Sequence, residues 1–196
     1  AIGTRNFISY DMGGTSTDVA LVAQGEWPLR RETILDGTLV RMPQLDIHTI
    51  GAGGGSVAHC DLGGSLGVGP RSAGARPGPA SYGHGGIEPT VTDANVVLGR
   101  LGSGQRLGDS LDIDHSAAEQ VVGELGRVLE LDTAEMAAGI LKVAVAKMAQ
   151  AIYEVSIARG YDPREFVMIP FGGAGPLHAC EVAEEIGIDG VAVPPD

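Results

Sequence analysis

Between residues 133 and 159, apolar side chains recur at intervals of three and four, at Ala137, Leu141, Ala144, Met148, Ile152 and Val155. That period places them on one stripe of an α-helix, and so long a stripe has to be buried against other elements. The sequence therefore predicts a long core helix over 133–159, with Gly160 as its C-terminal cap and Asp162-Pro163 as its stop. No reason exists to read a cofactor box along it.

Around this helix the rest of the chain orders itself. Downstream, 166–171 reads as a short apolar strand, 172–175 as a turn, 176–186 as a helix and 191–193 as a closing strand. Upstream, Ser116-x-x-Glu119 has the form of a capping box, opening a helix that runs through Glu130. Near the N-terminus, 6–12 and 18–23 alternate as strands on either side of Gly13-Gly14-Thr15-Ser16-Thr17, and 26–36 is expected to supply a third. Residues 51–109 are rich in Gly, Pro and Ser and lack a sustained period. They read as loop with one short helix near 92–101, for which Asp93 is a candidate N-cap. So long a loop inside a compact domain implies an ordered, functional insertion, drawn at about 44–110. The order β-β-β, insertion, α-α, β-α-β describes an α/β fold, a mixed sheet with flanking helices, as a single domain over 1–196.

The charge balance narrows the partners. Thirteen Lys and Arg against 25 Asp and Glu give a net charge of −12. The basic residues are scattered, which argues against a nucleic-acid surface. No segment approaches the run of about eighteen continuous apolar residues that marks a membrane span, and the first residues lack a signal-peptide pattern, so the expected location is cytoplasmic. Cys60 and Cys180 stand far apart and outside any C-x-x-C arrangement, so neither a zinc site nor a disulfide framework is suggested.

The glycines, 31 in all, are concentrated in particular places. Asp11-Met12-Gly13-Gly14-Thr15-Ser16-Thr17-Asp18 puts a carboxylate at a strand end, then two glycines that let backbone N–H groups approach an anion, then hydroxyls. Gly13, Gly14, Thr15 and Thr17 are thus candidates for a phosphate chain, and Asp11 for its Mg²⁺ and for catalysis. A plain hairpin turn is the alternative. The second turn, Gly172-Gly173-Ala174-Gly175, follows a strand and opens a helix, so an adenosine can lie against its backbone; a βα turn that needs small residues is the alternative.

Other candidates carry weaker patterns. Gly51-x-Gly53 begins like a dinucleotide fingerprint, but Ser56 stands at the third glycine position and no βαβ unit surrounds it. Asp46 and His48, two apart, would face the same side of a strand toward a substrate or metal, or form a structural pair. Arg71 and Arg76 flank small residues and can clamp a phosphate or carboxylate, or simply solvate a loop. His59, His84, His115 and His178 have no ligand-like spacing and are read as structural.

In their order, Asp11 to Asp18, Ile47-His48-Thr49-Ile50-Gly51-Ala52-Gly53-Gly54-Gly55-Ser56, Gly69-Pro70-Arg71 through Pro79-Ala80, Tyr82-Gly83, Thr90-Val91-Thr92-Asp93-Ala94-Asn95 and Phe171 to His178 resemble the central domain of the hydantoinase A/oxoprolinase family. The two Gly-Gly turns resemble the second phosphate motif and the adenosine motif of the actin, hexokinase and heat-shock chaperone ATPase superfamily. The resemblance implies a ribonuclease H-like lobe of the actin-like ATPase fold that binds ATP and Mg²⁺. It implies an enzyme, an ATP-dependent cyclic amidohydrolase of the hydantoin or 5-oxoproline type acting by phosphorylation, or a ketone carboxylase subunit. A nucleotide-sensing scaffold of the same fold is the alternative from another class. It further implies an upstream lobe bearing another phosphate motif and a hydantoinase B-type partner, so that the chain by itself is an inactive fragment.

Overall fold

The computed structural model describes residues 3–102, 106–107 and 111–193. In chain order it contains β1 (Phe7–Met12), β2 (Thr17–Val22), β3 (Leu29–Arg30), β4 (Thr33–Leu35), β5 (Thr38–Val40), β6 (Gln44–Leu45), β7 (His48–Ile50), β8 (Ser56–Cys60) and β9 (Leu66–Ser72). There follow a 3-10 turn (Ala80–Tyr82), α1 (Val91–Val97), β10 (Arg106–Leu107), β11 (Leu111–Asp112), α2 (His115–Val128), α3 (Thr133–Val155), β12 (Val167–Phe171), α4 (Gly175–Ile186) and β13 (Gly190–Val191).

Five strands form the central sheet in the order β13-β12-β1-β2-β7. β1 lies parallel to β12 and antiparallel to β2, with Asp11 opposite both Phe171 and Asp18. β12 is parallel to β13, and β7 antiparallel to β2. Period-two alternation splits β1: Ile8, Tyr10 and Met12 are fully buried under the helices, and Phe7, Ser9 and Asp11 point to the opposite face. The long helix lies over this buried face. Its stripe Met136, Ile140, Leu141, Ala144, Met148, Ile152 and Val155 forms the core with β1 and β2, and the Tyr10 hydroxyl meets the Met148 sulfur at 2.8 Å. By length and composition alone the span Thr133–Arg159 would pass for a membrane helix; here its apolar stripe is spent on the core.

Several expectations are corrected. The third strand of the sheet is β7, and 26–36 contributes only β3 and part of a separate β4–β5 ribbon. Trp27, Leu29 and Ile34 are exposed, so that segment has no buried face to offer the sheet. Because β7 is integral to the sheet, an insertion beginning near residue 44 starts too early. The remainder of that range, of which 103–105 and 108–110 lie outside the described residues, is more regular than a loop: β8 and β9 form a hairpin with an irregular register at Ser56 and Ala58, and α1 ends at Val97. The N-cap of α1 is Thr90, with Asp93 completing its capping box from inside the helix. α2 is capped by Asp114, whose side chain accepts from Ala117 N at 3.0 Å, which places Ser116 inside the helix and frees it from the expected cap.

Candidate functional site

The two glycine turns, some 160 residues apart in sequence, meet at the carboxyl ends of the parallel pair β1 and β12. A loop of four residues, Gly13 to Ser16, joins β1 to β2 and is closed by Gly13 N donating to Ser16 O at 3.0 Å. The segment after β7 then packs directly on it. Gly54 N donates to Gly13 O at 3.0 Å and Gly55 N to Gly14 O at 2.6 Å. A Cβ on Gly53 would stand 2.8 Å from backbone atoms of Gly13, Gly14 and Thr15, so only glycine permits this stacking. The second glycine of the fingerprint-like run, Gly53, is thus part of a brace on the Gly13-Gly14 turn. Thr92 ties the brace to α1, its N and hydroxyl both donating to Gly54 O at 2.8 and 2.9 Å.

With the carbonyls of Gly13 and Gly14 engaged in the brace, the N–H groups of Gly14 and Thr15 have no partner among the described residues, and neither have those of Gly172 and Gly173. Four free amide donors are thus gathered around one strand edge, the arrangement that binds an anion. The amino end of α4 adds its partial positive charge, since Ala174 at its N-cap offers no side-chain oxygen. Gly13, Gly14, Gly54, Tyr82, Thr92, Asn95, Leu101, Gly173, Ala174 and Leu177 wall a cavity of about 230 Å³ there. Gly172 and Gly173 differ in what they do. Gly172 has φ +79°, and a Cβ on it would collide with the Asp11 carboxylate and stand 2.6 Å from Met12 O; a Cβ on Gly173 meets nothing within 4 Å.

Asp11 stands on the other side of the strand edge from this cavity. It lines a broader hollow of about 660 Å³ over the helix-free face of the sheet, together with Ser9, Asp18, Thr49, Trp27 and Phe171. Directly opposite Asp11 in the ladder is Asp18, to which Thr49 donates its hydroxyl. Two carboxylates facing each other across an antiparallel pair repel, and a hard cation with oxygen ligands relieves that repulsion. Asp18 is the half of this pair that the glycine pattern does not mark. The loop length fixes it, because four residues between Met12 and Thr17 put position 18 opposite 11.

The remaining predicted residues are not brought to the cavity. Thr17 is fully buried and its hydroxyl is committed to Ala52 O at 2.6 Å. Asp46 is held between Arg30, at 2.6 Å, and Arg159. A tight turn in which Ile47 N bonds Leu45 O at 3.0 Å separates it from β7, so Asp46 and His48 do not share a strand. His48 lines a different hollow with Ile50, Pro70, Lys147 and Glu154. Arg71 forms a two-pronged pair with Glu88, and Arg76 lies exposed, so no clamp forms between them. Tyr82, Thr92 and Asn95, by contrast, wall the cavity; no periodicity singles them out.

Behind Asn95 lies His178, fully buried, with Nε2 at 3.2 Å from Asn95 Nδ2. Burial first, then the neighbouring Arg100, pushes its pKa down to about 4, with Glu181 opposing; Arg100, in the turn after α1, and Glu181, on α4, are themselves paired at 2.5 Å. The imidazole is therefore neutral in the folded protein. Since the unfolded chain takes up a proton near pH 6.5 and the folded one only near 4, the stabilisation is complete above 6.5 and drains away as the pH falls through that window. Melting curves between pH 7 and 4 are expected to show the wild type losing on the order of 3 kcal/mol more than His178→Gln over this range. Parallel pH profiles would assign the acid sensitivity to other groups.

The architecture and the cavity together define a mixed α/β protein with a glycine-walled, amide-lined pocket at the carboxyl ends of its parallel strands. The chain belongs to the hydantoinase/oxoprolinase family, whose model matches residues 1–196. It is 44% identical over 193 residues to caprolactamase subunit alpha of Pseudomonas jessenii, covering 98% of this chain and 28% of the relative. To 5-oxoprolinase of Saccharomyces cerevisiae it is 40% identical over 199 residues, covering 95% of this chain and 15% of that enzyme. Among solved structures it superposes on the ATP-dependent caprolactamase of Pseudomonas jessenii with a TM-score of 0.91 at 44% identity, over 98% of this chain and 28% of the other. On nucleotide-free acetone carboxylase the TM-score is 0.87 at 30% identity, over 97% and 27%. The chain thus spans less than a third of the relatives it matches.

Proposed function

We propose that this chain is the nucleotide-binding lobe of an ATP-dependent enzyme that activates a cyclic amide, of the hydantoin, 5-oxoproline or lactam type, by phosphorylating its carbonyl oxygen. The observation that carries the reading is the convergence of two remote glycine turns on one cavity, walled by Gly14 and Gly173, whose amide N–H groups and those of their neighbours Thr15 and Gly172 have no partner among the described residues. Phosphate oxygens accept from Gly14 and Thr15, and the adenosine lies along Gly173 and Ala174, where no side chain intervenes. Asp11, with Asp18 opposite, would hold Mg²⁺, which when bound offsets the charge of the phosphates. The γ-phosphoryl passes to the amide oxygen, ADP leaves, and water then opens the activated ring with release of phosphate. The strand order, three antiparallel strands followed by two parallel ones, supports assigning the domain to the ribonuclease H-like lobes of the actin-like ATPase fold, with 51–110 as its elaboration. A ketone carboxylase is the second reading, favoured by the likeness to acetone carboxylase; there phosphorylation would trap the ketone as its enol phosphate, whose α-carbon would attack carbon dioxide as water takes the phosphoryl group and phosphate leaves. In either case the relatives named as subunits support a partner of the hydantoinase B type.

Two measurements test the reading. Gly173→Val places its Cβ in the open space beside the proposed adenosine, where no described atom lies within 4 Å, so calorimetry on the complete enzyme should show ATP affinity weakened by roughly tenfold or more with the metal requirement unchanged. Wild-type affinity in that variant would remove the adenosine from this turn. The second concerns the isolated 196-residue chain. A cavity with one wall leaves bound phosphates hydrated, so the chain alone should fold, bind ATP weakly or undetectably and hydrolyse none, recovering both when the rest of the enzyme is supplied. Metal-dependent hydrolysis that scales with the concentration of the isolated chain, and is absent from an Asp11→Asn preparation, would overturn the half-site model.

A further inference from the structure

Two buried polar atoms, one on the cavity wall and one behind it, have no hydrogen-bond partner among the described residues. Asn95 is 2% exposed and its Oδ1 is unpartnered; His178 is fully buried and its Nδ1 is unpartnered. Unsatisfied groups this deep cost stability, so each calls for an occupant or a use.

The local chemistry determines how the Asn95 amide is turned. Its Nδ2 lies 2.9 Å from Val91 O, which can only accept, so the nitrogen and not the oxygen occupies that side. The second hydrogen on Nδ2 points to His178 Nε2 at 3.2 Å. A neutral imidazole can accept there, with its proton on Nδ1, and the burial of His178 keeps it neutral. Both amide hydrogens are then committed, and the amide cannot flip without setting Oδ1 against the Val91 carbonyl. What remains is one bare acceptor on a residue that walls the same cavity as Gly13, Gly14 and Gly173. The Arg100–Glu181 pair ties the turn that follows α1 to α4, and Arg100 N in turn donates to Asn95 O at 2.9 Å, which fixes Asn95 relative to His178.

We infer that Asn95 is a specificity-determining residue for the nucleoside, its Oδ1 accepting a hydrogen bond from the exocyclic amine of the base or from a ribose hydroxyl, and that His178 is the positioning residue that orients it. The inference rests on the nucleotide reading above and adds to it a direct discriminator that neither glycine turn provides: backbone amides and glycines admit any purine nucleotide, whereas one fixed acceptor rejects a nucleoside that lacks the matching donor.

The test compares ATP, inosine triphosphate, which replaces the amine by a carbonyl, and 2′-deoxy-ATP, which lacks a hydroxyl, by calorimetric titration of the complete enzyme. The wild type should bind one of the two analogues about threefold to tenfold more weakly than ATP, the worth of one neutral hydrogen bond, and the weakened analogue names the donor. Asn95→Ala should bind ATP as weakly as that analogue and no longer tell the two apart. His178→Gln, which retains an acceptor for Nδ2, should preserve the discrimination, and His178→Leu should lose it. Equal affinity of the wild type for all three nucleotides would overturn the proposal without recourse to any variant. So would unchanged discrimination in Asn95→Ala, and equal losses in the Gln and Leu variants would remove the positioning role from His178. If the wild-type enzyme bound no ATP at all, the nucleotide reading itself would fail, a result distinct from ATP binding without discrimination at Asn95.

Discussion

In the complete enzyme, Asp11→Asn is expected to reduce metal-dependent ATP turnover by at least about 100-fold while leaving the melting temperature unchanged or slightly raised. Both halves follow from the position of the carboxylate. Asp11 sits at the end of β1, accepts no hydrogen bond from the described residues, and faces Asp18 across the ladder. An amide of the same shape fits where the carboxylate stood and removes one member of a like-charged pair, so the folded state loses nothing. What is lost is the negative charge that would hold the cation on the phosphates. Steady-state turnover measured across a Mg²⁺ titration, alongside thermal melts, separates the two effects. Wild-type turnover in the variant would remove Asp11 from the site, and a large fall in melting temperature would recast it as a structural residue.

The opposite behaviour is expected at Asp93. Its carboxylate is fully buried and accepts from Ser81 N at 2.8 Å, Thr90 N at 3.0 Å, Thr90 Oγ1 at 2.7 Å and Ala80 N at 3.3 Å. One side chain thus joins the 3-10 turn that carries Tyr82 to the start of α1, which carries Thr92 and Asn95. Asp93→Ala leaves these donors without an acceptor and opens a space behind them. At 1–3 kcal/mol for each donor left dry, partly relieved by water, the cost is about 4 kcal/mol. In a domain of this size that lowers Tm by roughly 10 °C, with nucleotide affinity falling in step as the cavity wall loosens. A fall of only a degree or two in differential scanning calorimetry would show that the turn and helix are held by their backbone bonds instead.

The contrast between these aspartates also shows what was legible in the sequence. Asp11 is legible because alternation and the following glycines mark a strand end. Asp93 reads as an N-cap because it heads a helical stretch, but the cap is Thr90, three residues earlier, and the donors at Ala80 and Ser81 come from a segment with no pattern of its own. α3 was legible because its stripe is sustained over many turns, and the Asp132–Glu135 capping box fixes its start. The β8–β9 hairpin was hidden by the packing that stabilises it. Gly67 lies under the His59 ring, where a Cβ would stand 2.7 Å from Nε2, and a Cβ on Gly69 would be 3.0 Å from Gly51 O. Glycines required by close approach look, in a linear reading, like glycines required by a loop. Likewise the hydroxyl of Thr17 fits a phosphate motif until Ala52 O is seen to claim it, and Arg71 looks free until Glu88, 17 residues on, is found beside it.

The pairing of β1 with β12 matches Phe7 to Val167. During synthesis the β1–β2 hairpin can close as soon as it leaves the ribosome, but the other edge of β1 has no partner until nearly 160 further residues have been made. For that interval the nascent chain carries an open strand edge ending in Asp11, the kind of edge that recruits other chains, and loop closure over such a separation is slow. The cavity is therefore among the last features to form. Destabilising changes anywhere between residues 23 and 166 lengthen this exposed stage, and their first symptom in a cell would be aggregation of newly made protein, ahead of any defect in the chemistry of molecules that do mature.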